Sequence, residues 1–320
     1  MIPAFILLAI APSFAPAADA TWSAPKVFVE GRPYKVHVEL TVPKSGTVRA
    51  AMFEAGAFQI DGKPIAESKN KEELKLEAGS VMKLDLDLAD AITSSKAYGK
   101  HDFKLGYPGA DEKPVDVRVF AVAPPKGLEF MDEKKTPVAE LAKYDVLIET
   151  NRGNMVVEFW PDVAPGHVRN FLDLSYTGFY NGVLFHRVGA GFMIQGGDPN
   201  TRSADTTKWG TGGGPRPSLK HEFSAKKHVR GVLSMARGGG ATPAQDEKMW
   251  DSASCQFFIM DGPNPGLDGK YSAFGMLVDG FDTLDKIVNS PGSRIDAGTV
   301  RPNEPQKILS ATVLRAPESK

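Results

Sequence analysis

The stretch Phe185-His186-Arg187-Val188, continued by Gly191-Phe192-Met193-Ile194-Gln195-Gly196-Gly197-Asp198, decides how this chain is read. It holds two short strands, near 184–188 and 192–196. Working outward, further strands are expected at 145–150, 154–160, 231–235, 256–260, 273–278 and 307–315. A helix is expected from about Pro165, with proline near its first position. It places Val168, Phe171, Leu172 and Ser175 on one face and stops before Gly178. A second helix spans 281–289, with Phe281, Leu284, Ile287 and Val288 at helical spacing. Strands far outnumber helices, and the helices are isolated. That is the pattern of a closed β-barrel capped by helices, not of a parallel doubly wound sheet.

Three further blocks stand in order around the first. They are Gly231-Val232-Leu233-Ser234-Met235-Ala236, Ser254-Cys255-Gln256-Phe257-Phe258-Ile259, and Leu267-Asp268-Gly269-Lys270-Tyr271-Ser272-Ala273-Phe274-Gly275. Together the four blocks closely resemble the cyclophilin family of peptidyl-prolyl cis-trans isomerases. The resemblance runs from about residue 145 to 315, over half the chain. It implies an eight-stranded closed barrel with two capping helices, acting on proline-containing polypeptides.

The chemistry this implies is spare. Rotation about an X-Pro bond meets a barrier of about 18–20 kcal/mol because the amide is conjugated, and takes tens to hundreds of seconds unaided. No bond to carbon is made or broken, so neither a nucleophile nor a metal nor a cofactor is required. Catalysis must stabilise a twisted amide better than a planar one. An apolar pocket grips the proline ring, and a fixed cation meets the lone pair that emerges on the prolyl nitrogen. Arginine suits this role, being always charged and carrying several donors in a rigid fork. By resemblance, Arg187 is that donor. Phe192, Met193, Phe258 and Leu267 line the proline pocket, with Tyr271 at its edge. Gln195 bonds the substrate backbone and helps to hold Arg187, while Ala236, Arg237 and Gln256 contact the chain before the proline. His186 flanks the site as a packing residue, and Cys255 is a small buried side chain, not a nucleophile.

Departures from the family pattern fall on one side of the pocket. Many members have Trp just before the Leu-Asp-Gly-Lys block, where this chain has Gly266; tight cyclosporin binding is therefore not expected. Many have Asn at Arg237 and His at Tyr271. Residues 237–254 form an insertion roughly twice the family length, rich in glycine and bearing Trp250, which is offered as a lid over the pocket in place of the missing Trp. Gly210-Thr211-Gly212-Gly213-Gly214 lacks the following Lys-Ser/Thr of a phosphate loop and reads as a groove-edge loop.

The N-terminal half carries no such chemistry. Val36, Val38, Leu40 and Val42 alternate with Lys35, His37, Glu39 and Thr41. The same period of two marks Leu84, Leu86 and Leu88; Phe103, Leu105 and Tyr107; and Val115, Val117 and Val119. Turn signals stand at Glu30–Pro33, Pro43–Gly46, Asp61–Pro64 and Pro108–Gly109. Residues 21–123 are expected to form an all-β domain, an immunoglobulin-like sandwich with almost no helix. Asp85, Asp87 and Asp90 read as a solvated strand rather than calcium ligands, and His37 and His101 as surface or structural. Residues 124–143, with Pro124-Pro125 and a charged run at 132–137, are expected to be a linker, and 144–316 the isomerase domain.

Residues 1–20 contain no Lys or Arg, run apolar from Ile2 to Pro12 and end on Ala18-Asp19-Ala20. They are expected to be a cleaved export signal, too short to span a membrane. The chain would then be periplasmic or secreted. With 38 basic and 39 acidic residues in 320, balanced in both halves, the chain has no basic module for nucleic acid. Its single cysteine makes no intrachain disulfide. The rival functional class is a proline-peptide binder or chaperone with little turnover, which has no need of a cation aimed at the prolyl nitrogen.

Overall fold

The computed structural model describes residues 19–42, 46–49, 54–67, 73–106, 114–123, 126–296 and 298–315. Most of the expected export signal, Tyr107, and the turn or boundary signals at Pro43, Pro108–Gly109 and Pro124–Pro125 lie outside them. The chain divides into an N-terminal unit ending at Val119 and a C-terminal unit starting at Phe120. Both are mainly β.

In the N-terminal unit the strands are β1 (Asp19–Ser23), β2 (Val27–Val29), β3 (Lys35–Thr41), β4 (Gly46–Arg49), β5 (Phe58–Ile60), β6 (Lys63–Pro64), β7 (Glu73–Leu76), β8 (Val81–Asp87), β9 (Gly99–Leu105) and the first five residues of β10 (Val115–Val122), which runs past the boundary. Strands β1, β3 and β8 pair in that order, as do β6, β5, β9 and β10. The expected alternation holds along β3, where Val36, Val38 and Leu40 are buried and Lys35 and His37 are exposed. Phe28, Tyr34, Phe58, Phe103 and Val117 complete the core, with the Phe58 and Phe103 rings stacked at 5.5 Å. Asp61-Gly62 turns the β5–β6 hairpin with both residues at positive φ, as that dipeptide favours. The Asp87 carboxylate accepts the backbone N–H groups of Tyr34 and Ala89, so it closes a turn.

One element departs from expectation: α1 (Ala89–Ser95) follows β8 directly. Leu88 and Ile92, four apart, are both buried. Two turns are too short to reveal a helical period in a sequence dominated by period two.

The C-terminal unit contains α2 (Val138–Leu141), β11 (Tyr144–Thr150), β12 (Gly153–Phe159), α3 (Pro165–Tyr176), β13 (Arg187–Gly189), β14 (Met193–Gly196), β15 (Val232–Met235), α4 (Pro243–Glu247), β16 (Phe257–Met260), β17 (Ala273–Asp279), α5 (Phe281–Val288), β18 (Gly292–Asp296), β19 (Thr299–Pro302) and β20 (Ile308–Arg315). The sheet runs β18-β19-β13-β14-β16-β15-β17-β12-β11-β20. The two long helices lie where expected. Strands β18 and β19 were not expected: the β18 sequence Gly-Ser-Arg-Ile-Asp is almost wholly exposed and shows no alternation of burial.

Residues expected to be a linker contribute to this unit's interior. Phe130 and Leu141 are fully buried in its core. The Phe130 ring stands edge-on to Tyr144 at 5.1 Å and to Tyr176 at 5.6 Å. Arg169 on α3 is buried and donates through Nη1 to the carbonyls of Phe130 (2.8 Å) and Thr136 (2.6 Å). The charged run at 132–137 hid this, since the apolar residues that turn inward, Phe130 and Leu141, stand singly on either side of it. Among the described residues no helix is long and apolar enough to cross a membrane.

Candidate active site

The register of four consecutive strands builds the site. Arg187 lies opposite Gln195, Gln195 opposite Phe258, and Phe258 opposite Ser234. Residues directly opposite share a face of the sheet, and their neighbours take the other. The adjacent row is Val188, Ile194, Ile259 and Leu233, all fully buried in the main core. The sheet therefore keeps its hydrophobic interior on one side and presents Arg187, Gln195 and Phe258 on the other. On that second side Met193, Phe258, Met260, Val232 and Ala273 form a separate small apolar cluster, edged by Phe192, Ala236, Leu267 and Tyr271.

A cavity of about 90 Å³ opens on this cluster. It is lined by Arg187, Phe192, Met193, Gln195, Ala236, Arg237, Phe258, Leu267 and Tyr271. Every one of these was named from the sequence. Gln256 faces an adjoining groove of about 440 Å³, which Gln195, Ala236 and Arg237 share with the Gly210–Gly214 loop. Close packing explains two of the glycines. Gly197 sits at φ +88°, and a Cβ there would collide with the Cys255 carbonyl; one on Gly212 would collide with the Asp198 carboxylate.

Arg187 is held from two sides. Its Nη1 donates to Gln195 Oε1 (3.1 Å), and its Nε and Nη2 donate to Asp296 Oδ2 (3.2 and 3.1 Å). Nε also reaches Thr299 Oγ1 (3.2 Å), and the guanidinium carbon lies 5.8 Å from the Phe192 ring centre. Gln195 Nε2 donates onward to Gln256 Oε1 (3.1 Å), and Gln256 Nε2 donates to the carbonyls of Gly210 and Gly212. One continuous network thus fixes the amide and guanidinium planes. Asp296 and Thr299 were missed from the sequence. They come from β18 and β19, which carried no strand signal.

The floor is pinned from below. Phe258 stacks on His228 (6.1 Å) and stands edge-on to Tyr271 (5.7 Å). His228 bridges Asp268 (Nδ1, 3.2 Å) and Ser234 (Nε2, 3.1 Å). The three resemble a hydrolytic triad in type, but Ser234 is fully buried and meets no substrate. Burial lowers the pKa of His228, against the pull of Asp268, and that of His186, which is also sealed in, against the charge of Asp198. Neither is placed as a general base. Cys255 is buried, and its thiol is pushed up to about 12, first by burial and then by the charge of Asp198. It is inert, as expected.

Two residues behave differently from expectation. Trp250 does not line the cavity. Its ring stands edge-on to His221 and Phe223, each at 5.3 Å, and its Nε1 donates to Asp246. Arg237 lines both cavities, but four of its five N–H groups are engaged within the chain, by Lys270 O, Gly238 O and the two oxygens of Asp246. It acts as a wall more than as a donor to a peptide.

Residues 145–313 match the family described as "Cyclophilin type peptidyl-prolyl cis-trans isomerase/CLD". A probable peptidyl-prolyl cis-trans isomerase of Brucella abortus is 40% identical over 52% of this chain and 81% of its own length. A peptidyl-prolyl cis-trans isomerase-like 3 of Gallus gallus is 36% identical over 52% of this chain and 94% of its own. Among solved structures, a cyclophilin type peptidyl-prolyl cis-trans isomerase of Cryptosporidium parvum is similar at 34% identity over 55% of this chain and 98% of that one, with a TM-score of 0.44. With the matched segment carrying the whole cavity, the chain belongs to the cyclophilin-type peptidyl-prolyl cis-trans isomerase family and is an isomerase of X-Pro bonds.

Proposed function

We propose that the cavity receives the proline ring and that Arg187 supplies the charge that stabilises the twisted amide. The observation that carries this is that Arg187 lines one cavity with Phe192, Met193, Phe258 and Leu267, with its fork held by Gln195 on one side and Asp296 on the other. A planar amide nitrogen has its lone pair in conjugation; a twisted one accepts a hydrogen bond. A donor fixed in advance at that point favours the transition state over either planar ground state. Met193, Phe258 and Leu267 take the ring, and the adjoining groove takes the chain before it. Gln195 keeps Arg187 in place. The test is isomerisation of an X-Pro peptide. Arg187→Ala is expected to lower kcat/KM by on the order of 10²–10³; equal rates for the two proteins reject the role given to Arg187.

We further propose that the C-terminal sheet is a closed barrel. Support comes from residues 182–186, which bond to both sides: Phe185 N–H to Gln306 O and Ile308 N–H to Val183 O on one, His186 N–H to Gln195 O on the other. For the N-terminal unit an immunoglobulin-like sandwich is favoured by two antiparallel sheets sharing one apolar core. The composition of the first twenty residues favours export, with partly folded exported proteins as substrates. The mass of the mature chain tests the cleavage. With Gly266 in place of Trp, weak cyclosporin binding is the expected result of a direct titration.

A further inference from the structure

We propose that Asp246, carried by the insertion between Ala236 and Gln256, is a positioning residue for substrate binding. It clamps the Arg237 guanidinium over Tyr271 and so sets one wall of the proline cavity. The inference rests on the cavity being the proline site.

The Arg237 side chain is only 3% exposed. A guanidinium so enclosed needs a counter-charge with matching geometry, or it turns out to water. Asp246 meets it with both oxygens, Oδ1 to Nη1 and Oδ2 to Nη2, each at 2.9 Å. This planar two-point grip suits arginine and not lysine. The guanidinium carbon lies over the Tyr271 ring, 4.4 Å from its centre, and Tyr271 in turn stands edge-on to Phe258, the floor of the cavity. An unbroken line of contacts therefore runs from Asp246 to the surface that meets the proline ring. Asp246 lines neither the cavity nor the groove, so it acts only through Arg237.

The insertion is built to hold that carboxylate still. Thr242 caps α4 by accepting the Gln245 N–H, with Pro243 at the first helical position. Trp250 Nε1 donates to Asp246 Oδ2 (3.3 Å), and the Gly240 N–H reaches Oδ1 (3.4 Å). Trp250 thus serves the pocket at one remove: it does not cover it, but steadies the residue that holds the wall. The wall matters because Gly266, beside Leu267, has no side chain to offer. Paired with Asp246, Arg237 also leaves the wall without net charge, which suits a proline ring.

The test is the kinetics of Asp246→Asn, read as kcat and KM separately and as peptide Kd by titration. KM and Kd are expected to rise about five- to tenfold while kcat stays within about twofold, the mark of lost binding rather than lost transition-state contact. Arg237→Met keeps a long, uncharged side chain in reach of Tyr271 and needs no clamp. On that background Asp246→Asn is expected to change nothing further. The double variant has no buried cation to strand, so it decides the matter even if Asp246→Asn alone folds poorly. KM within twofold of wild type for Asp246→Asn overturns the proposal. So does a parallel loss of kcat and melting temperature in the double variant, or a rise in KM on adding Asp246→Asn to Arg237→Met. If wild type itself shows no isomerisation, the catalytic reading of Arg187 fails, while peptide Kd still decides the role of Asp246.

Discussion

In the N-terminal unit His37 pairs with Asp85 across β3 and β8 on the exposed side of the strands, and His101 pairs with Asp61 at 2.7 Å. In the C-terminal unit Asp198, His228, Ser234 and Gln306 are sealed in the interior. The contrast is general. Among the described residues, every buried polar or charged side chain lies beyond Val119. Burying such groups is costly unless each finds a partner. The N-terminal unit avoids that cost by turning apolar side chains inward and leaving charged ones outward, as along β3. The C-terminal unit accepts it where geometry must be held: His228 under Phe258 and Asp198 under the glycine loop. Internal polar networks mark the part of the molecule that does chemistry.

The comparison can be broken or sharpened by experiment. The loss in Arg187→Ala, on the order of 10²–10³ in kcat/KM, is the largest expected effect and belongs wholly to the C-terminal unit. Next is the stretch 126–143. A fragment starting at residue 144 loses Phe130 and Leu141 from the core and strips Arg169 of its two carbonyl acceptors. Two buried side chains are worth about 3–6 kcal/mol, so this fragment should melt roughly 10–20 °C below one starting at residue 120. Equal melting temperatures in calorimetry would make the stretch a mere linker after all.

A smaller effect is expected from pH. Burial lowers the pKa of His186 and His228 from the ordinary value of 6.5. A histidine kept neutral in the fold binds its proton more readily when unfolded, so its contribution is complete above pH 6.5. It declines as pH falls below 6.5 toward the folded values. The melting temperature of the C-terminal unit should fall between pH 7 and 5, and His186→Gln should flatten that slope. An unchanged slope would mean the ring is not held neutral. The smallest effect belongs to the N-terminal surface: His37→Ala should alter stability by less than about 0.5 kcal/mol in urea titration. A larger loss would mean that outward-facing pairs there do structural work.

Much of the site was legible because its residues stand in four ordered blocks that resemble one family. The register that puts Arg187, Gln195 and Phe258 on one face and Val188, Ile194 and Ile259 on the other is set by strand pairing, which the structure supplied. The helices from Pro165 and Phe281 declared themselves through apolar spacing and a nearby proline or glycine. What stayed hidden has no period. The hairpin β18–β19 is exposed and irregular in burial, so Asp296 and Thr299, which hold Arg187, gave no sign. Helix α1 is too short to show a repeat, and Phe130 and Leu141 lie in a segment whose charge suggested solvent.

By itself, then, the chain's sequence determined the mainly β architecture through alternation, and through ordered motifs the family resemblance that named the isomerase and the nine side chains around the cavity, since alternation and motifs are local in the chain. Only the tertiary structure decided how those side chains are held. Asp296 reaches Arg187 from 109 residues away, Asp246 grips Arg237 from within an insertion, and Trp250 packs on His221 and Phe223 instead of roofing the pocket. Contacts of this kind are made where loops meet in space, and loop sequences carry no period from which such meetings can be read.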